Sequence, residues 1–199
     1  MSARSYWTLE IAAVRPETAE AIVVGFRRPA DPAFAFRPGQ YLTLRADIAG
    51  VSQERCYSIC SAPGDPLIEV AVKRVAGGRF SDWAHATLRP GMAAEVLPPE
   101  GRFGALAGVA AGGAGRYLAL AAGSGITPIL SLARTLLAAD PGAEFTLVYG
   151  NRSRDAIMFR EALDDLKDRY LARFSVVHVL SREASDVELF HGRIDAARL

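Results

Sequence analysis

The chain has 199 residues, half of them hydrophobic and about a quarter charged, so it carries enough apolar material for one or two packed domains and is not a disordered chain. Its 23 basic and 22 acidic residues leave a formal net charge of +1, which excludes a general attraction to nucleic acid or an anionic membrane and requires any basic site to be local. No segment approaches the roughly 18 to 20 consecutive apolar residues that span a bilayer, and the start lacks the apolar core of a secretory signal, so a cytoplasmic location is expected.

From Tyr6 to about Phe103 the apolar residues come in short runs separated by turn signals, among them Arg37-Pro38-Gly39, Arg89-Pro90-Gly91 and Pro98-Pro99-Glu100-Gly101. Such spacing predicts an antiparallel barrel or sandwich, with one short helix over 79–86. The two cysteines, Cys56 and Cys60, fit no disulfide framework or zinc spacing and read as reduced packing residues. A glycine- and alanine-rich stretch nearly without charge marks a linker over 106–115, which divides the chain into a first domain, 1–105, and a second, 116–199.

Beyond the linker the pattern changes. Apolar runs at 117–122, 144–150 and 174–180 predict parallel strands buried on both faces, and helical patterns at 126–138 and 155–170 separate them. That alternation is a β-α-β-α-β unit, hence a doubly wound lobe, and an incomplete one, since dinucleotide-binding halves usually carry more than three strands.

The strongest phosphate-binding signal is Gly123-Ser124-Gly125-Ile126-Thr127-Pro128, between a predicted strand and a predicted helix. Glycines admit a pyrophosphate close to the backbone, and a helix start offers unpaired N–H groups. The next strand ends Tyr149-Gly150-Asn151-Arg152, without the carboxylate that usually reads NAD ribose hydroxyls, so Arg152 suits a 2′-phosphate. Ser181 and Arg182 end the third strand at the same sheet edge, and Arg193 is a further arginine for it. In the first domain Arg55 and Tyr57 share one strand face and Cys56 and Ser58 the other, and Lys73 precedes Gly77-Gly78-Arg79-Phe80-Ser81, a second anion cradle at a helix start. The three histidines lack serine or acidic partners at a useful spacing, His178 reads as a core residue, and no metal-ligand cluster is visible.

In this order, Arg55-x-Tyr57-Ser58, Lys73 with Gly77-Gly78-x-x-Ser81, and Gly123-x-Gly125-x-x-Pro128 resemble the motif series of ferredoxin-NADP reductase-like flavoenzymes. The resemblance covers nearly the whole chain and implies a six-stranded antiparallel flavin barrel followed by a partial parallel-sheet nucleotide lobe. Phe36-Arg37-Pro38-Gly39-Gln40 and His191-Gly192-Arg193-Ile194-Asp195 are further similar to reductase subunits of phenylacetyl-CoA epoxidase systems. The implied roles follow. Arg55 pairs with the FAD pyrophosphate, Tyr57 packs on the isoalloxazine and Ser58 hydrogen-bonds near flavin N5, which requires a bend because alternation puts Ser58 on the other face. Lys73, Gly77, Gly78 and Ser81 hold the flavin and its phosphates, Gly123, Gly125 and Thr127 line the NADPH path, and Arg152, Ser181 and Arg182 read the 2′-phosphate. The implied activity is hydride transfer from NADPH to FAD, with electrons then passed towards a 2Fe-2S centre and the oxygenase component of a multicomponent system. This chain lacks a C-x4-C-x2-C run and the family's Cys-Gly-Pro motif, so the cluster is expected only in a C-terminal domain beyond Leu199. A stand-alone ferredoxin or flavodoxin reductase and a non-catalytic flavin-binding module are the competing readings.

Overall fold

The structure, a computed structural model, describes residues 5–106, 115–183 and 187–195. Strands β1 (Trp7–Thr18), β2 (Ala21–Arg27), β3 (Tyr41–Ile48), β4 (Val51–Ser58), β5 (Leu67–Lys73) and β6 (Ala93–Glu100) form one antiparallel sheet in the order β4-β3-β6-β1-β2-β5. Its two outer strands meet again just past Ser58: Ile59 bridges to Val70, and the Cys60 N–H donates to the Glu69 carbonyl at 2.9 Å. That contact closes the expected six-stranded barrel around Ile11, Phe26, Leu42, Leu44 and Val70, all essentially inaccessible. Cys60 is buried outside that barrel core and its thiol donates to the Glu69 carbonyl, while burial pushes its ionisation far up, so it is a packing residue, whereas Cys56 is exposed.

Helix α1 (Arg79–Thr87) follows β5 where the short helix is predicted, and a single turn, α2 (Phe103–Leu106), ends the barrel segment. Most of the predicted linker, 107–114, lies outside the described residues.

The second lobe has β7 (Arg116–Ala122), α3 (Ile126–Ala139), β8 (Glu144–Asn151), α4 (Arg160–Arg169) and β9 (Phe174–Leu180), with a parallel sheet in the order β7-β8-β9. Both connections step the same way across the sheet, so right-handed crossovers put α3 and α4 on one face. There Ala119, Ala121, Phe145, Leu147 and Tyr149 pack with Leu130 of α3 and Leu163 of α4. On the opposite face Leu118 is 66% and Leu120 46% exposed. The expectation of strands buried on both faces is thus corrected: the described residues of this partial lobe carry one helical layer, on one face of the sheet.

Helix α4 also starts later than the predicted 155–170. Arg154–Ala156 makes one 3-10 turn, and then Ile157, Met158 and Phe159 all enter the core. Three consecutive side chains cannot share one face of a helix, so the backbone leaves helical geometry, with Phe159 at φ 61° before α4 begins. Barrel and lobe are packed together: Ala21, Val23, Cys60 and Ala71 join the core around α3, and the buried Ser131 hydroxyl donates to the Ser61 carbonyl at 2.6 Å.

Candidate functional site

Between the barrel and α3 lies a cavity of about 920 Å³. Strand β4 is the last strand on its side of the sheet and is joined to β5 just past its end, at Ile59 and Cys60, so the cavity reaches its free edge. Arg55, Cys56, Tyr57 and Ser58 therefore all border the cavity, and Ser58 needs no separate excursion from the strand. The half-buried Tyr57 ring lies 5.8 Å from Phe80. Burial pushes its phenol up to about 12 against the opposing charge of Arg55, so it offers an uncharged, flat surface. Arg55 is exposed and anchored on its own strand, donating to the Glu54 carbonyl at 2.7 Å and to the Gln53 side chain at 3.3 Å.

The entrance to α1 forms the second wall. The Gly78 N–H donates to the Val75 carbonyl at 2.8 Å; the buried Ser81 hydroxyl donates to the Gly78 carbonyl at 3.0 Å and accepts from the Val75 N–H at 3.1 Å. A Cβ at Gly78 would stand 2.9 Å from the Val75 carbonyl oxygen, so only glycine fits this closed turn. Ser81 thus shapes the cradle, with its own proton already engaged. Gly77 sits in the same turn without bordering the cavity, and Lys73 borders it 3.7 Å from the Glu20 carboxylate.

The third wall is the start of α3. Gly123 has φ +49°, Thr127 donates its hydroxyl to the Ser124 carbonyl at 3.0 Å, and Pro128 occupies the third helical position. Nothing lies within 4 Å of a Cβ built on Gly123 or Gly125, which leaves open space over this helix start. From below, the buried Tyr149 hydroxyl donates to the Gly123 carbonyl at 2.8 Å and fixes the turn.

A second cavity, of about 530 Å³, adjoins the first and shares Lys73, Ser124 and Arg152 with it. Gly123, Ser181 and Arg193 also border it, and among the described residues no carboxylate does. Arg182 is not brought to this site: it is exposed, and it contributes only a backbone N–H to the Arg152 carbonyl, at 2.8 Å. Arg193 occupies the position expected of it because Gly192 donates to the Leu180 carbonyl at 2.9 Å and ties that segment to the end of β9. Sequence reasoning missed Asn151. It is 8% exposed, borders this cavity, and both polar atoms of its amide lack a hydrogen bond of good geometry although the Tyr149 hydroxyl is a neighbour. Its place at the carboxyl end of a parallel strand was the only available signal.

Among the described residues, five cations, Arg55, Lys73, Arg74, Arg79 and Arg152, border the larger cavity against the single carboxylate of Glu20. In a chain of net charge +1 this is a strong local concentration of positive charge. A neutral aromatic surface, two helix starts and this charge fit a flavin with a phosphate tail, and the adjoining basic cavity fits a second phosphorylated nucleotide. His178 lies half-buried and away from both cavities, its ionisation pushed down mainly by burial. Among the described residues no cluster of three or more metal-ligating side chains occurs, and no helix is long and apolar enough to cross a membrane.

A barrel and a βα lobe enclosing such a pair of cavities define a flavin- and nicotinamide-dependent oxidoreductase. The Oxidoreductase FAD-binding domain family matches residues 13–104 and the Oxidoreductase NAD-binding domain family residues 119–199, and the chain belongs to the FAD- and NAD-binding oxidoreductases of the ferredoxin-NADP reductase type. It is 47% identical to a subunit of the 1,2-phenylacetyl-CoA epoxidase of Escherichia coli, over 98% of this chain and 55% of that relative. It is 39% identical to the ferredoxin reductase component of 3-ketosteroid-9-alpha-monooxygenase of Rhodococcus rhodochrous, over 86% of this chain and 48% of that relative. The chain spans about half the length of these curated relatives. Among solved structures, a ferredoxin NADP+ reductase from Neisseria gonorrhoeae with bound FAD and NADP superposes with a TM-score of 0.76 at 22% identity, over 97% of this chain and 74% of that one.

Proposed function

We propose that this chain is the FAD- and NADPH-binding part of a reductase that supplies electrons to an oxygenase of the phenylacetyl-CoA epoxidase kind, in the cytoplasm. Its domains in this reading are the flavin barrel at 1–105, a linker at 106–115 and the nucleotide lobe at 116–199. The observation that carries the reading is the shared cavity, bordered by Arg55, Tyr57 and Ser58 of β4 and by Gly125 and Thr127 at the start of α3. A bound FAD would accept a hydride from the nicotinamide and release electrons one at a time, towards a 2Fe-2S centre carried by a further domain.

The chain's own task is to hold and align. Arg55 neutralises the pyrophosphate, Tyr57 presents a flat uncharged face, and the edge strand offers Ser58 to the polar rim of the flavin ring. Lys73 and the turn at Gly77-Gly78, kept in shape by Ser81, draw the tail towards positive charge. Gly123, Gly125 and Thr127 leave room for the dinucleotide, while Arg152 and Ser181, with Arg193, line a cavity to which the described residues bring no carboxylate, which favours a 2′-phosphate over bare ribose hydroxyls. Arg182 contributes only as surface charge. Juxtaposing the two rings supplies several kcal/mol of the barrier and needs no side-chain nucleophile.

The test is an anaerobic titration of the FAD-loaded chain with NADPH and with NADH, followed at the flavin absorption band. Faster bleaching by NADPH is the expected result. Bound flavin that neither nucleotide bleaches would instead favour a non-catalytic flavin module, and failure to bind FAD would overturn the reading.

A further inference from the structure

Helix α4 has no side-chain cap of its own. Its first N–H groups need acceptors, and the usual local remedy places a glutamate at the third helical position to reach back to the cap N–H. Here Glu161 stands at the second position, and the cap residue, Phe159, is apolar and buried. The missing acceptor comes from the other domain. Glu17, on β1 of the barrel and 142 residues away in sequence, accepts the Phe159 N–H on one carboxylate oxygen at 2.5 Å, while its other oxygen takes the Arg15 guanidinium at 2.8 Å. The Glu17 side chain is only 10% exposed, and it sits in a cleft of about 480 Å³ between barrel and lobe that Arg15, Arg154 and Arg160 also border.

This contact leads to the nucleotide turn through a short series of atoms. The peptide that carries the Phe159 N–H carries the Met158 carbonyl, which lies 3.5 Å from the Tyr149 hydroxyl, and that hydroxyl donates to the Gly123 carbonyl at 2.8 Å. We infer that Glu17 is a positioning residue: it clamps the lobe to the barrel through the Phe159 N–H and, by way of Tyr149, sets the Gly123 turn relative to the flavin wall. Glu17 borders neither of the two cavities at the nucleotide site, so it acts only through these neighbours.

The inference rests on the reading that a nicotinamide nucleotide reduces flavin in this chain. The FAD-loaded protein is compared with Glu17→Ala, Glu17→Gln, Tyr149→Phe and the Glu17→Ala/Tyr149→Phe double variant, with flavin affinity, bleaching rate at saturating NADPH, NADPH KM and amide exchange over 155–163 as readouts. A hydrogen bond to a charged group is worth about tenfold or more in an equilibrium, so Glu17→Ala should slow saturated bleaching by roughly tenfold with flavin affinity unchanged. Glu17→Gln, which keeps an acceptor oxygen, should recover most of the rate. The double variant should be no slower than the slower single variant, as expected of residues acting in series. An unchanged rate in Glu17→Ala, a loss that follows flavin release, or fully multiplicative effects would overturn it. Should NADPH fail to bleach the parent protein, the functional reading falls, and amide exchange alone then decides: faster exchange at Phe159 in Glu17→Ala supports the clamp, and unchanged exchange refutes it.

Discussion

At the start of α1, the turn is closed around Gly78, although Gly77 beside it looks into open space: the Ser81 hydroxyl bonds both Gly78 and Val75, and a Cβ at Gly78 has nowhere to go. At the start of α3, Gly123 and Gly125 look into open space, and one hydroxyl from underneath, that of Tyr149, holds the turn. The two cradles share a sequence signature, glycines before a helix, and differ in what surrounds them. A closed cradle suits a cofactor that stays bound; an open one, fixed from behind, suits a nucleotide that enters and leaves. The sharpest way to break this contrast is to add a methyl group to each. Gly78→Ala should lose about 1–3 kcal/mol of stability through overpacking and at least tenfold in FAD affinity, measured by thermal unfolding and flavin fluorescence titration. Gly125→Ala, at φ −62° in open space, should leave melting and FAD affinity unchanged and raise only the NADPH KM. Equal effects of the two substitutions would abolish the distinction.

The second largest effect concerns the arginines. Arg152 borders both cavities and Arg182 neither, so Arg152→Ala should weaken NADPH by about tenfold or more while leaving NADH nearly unchanged. Arg182→Ala should alter the NADPH to NADH ratio by less than about twofold, the scale of a solvated surface charge. Steady-state kinetics with both nucleotides gives the answer. A large loss in Arg182→Ala would mean that the ligand draws this side chain inward.

These particulars also show where the sequence was legible. The barrel could be read because proline-glycine turns punctuate its strands, and both cradles because glycine before a helix has few other uses. The strand end was read too far: β9 stops at Leu180, so Ser181 and Arg182 lie in the bend that follows, where Ser181 borders the cavity and Arg182 does not. The exposed face of β7 was not legible, because an apolar run such as Tyr117-Leu118-Ala119-Leu120 has the same composition whether one face is covered or both. The late start of α4 was hidden because a helical period in sequence does not show that Phe159 will leave helical geometry. Glu17 was out of reach altogether, since its partner lies in another domain.

Asn151 allows a finer test of the open site. A buried amide that makes no hydrogen bond of good geometry disfavours the folded state by about 1–3 kcal/mol unless something else compensates. Asn151→Ala should therefore melt no lower than the parent, in contrast to most buried polar truncations, while NADPH binding weakens severalfold. A lower melting temperature with unchanged NADPH binding would show that the amide serves the fold and has no part in nucleotide recognition.

The smallest expected effect separates the two sites by pH. In the unfolded chain the Tyr57 phenol ionises near 10, and burial raises it to about 12 in the folded chain. Below pH 10 both states are neutral and Tyr57 introduces no pH dependence; from 10 to 12 the unfolded state loses its proton first, so stability falls as pH rises, and the decline ends above 12. Tyr149 and Cys60 are raised by burial as well and deepen the same alkaline decline. Tyr57→Phe should remove one share of it, visible as a shallower loss of melting temperature above pH 10, with the Gly123 turn untouched. Tyr149→Phe should flatten the decline in the same way but also free the Gly123 carbonyl, so it alone should slow bleaching by NADPH at pH 7. The barrel tyrosine then reports only on its buried surroundings, whereas the lobe tyrosine couples its surroundings to the position of the nucleotide turn.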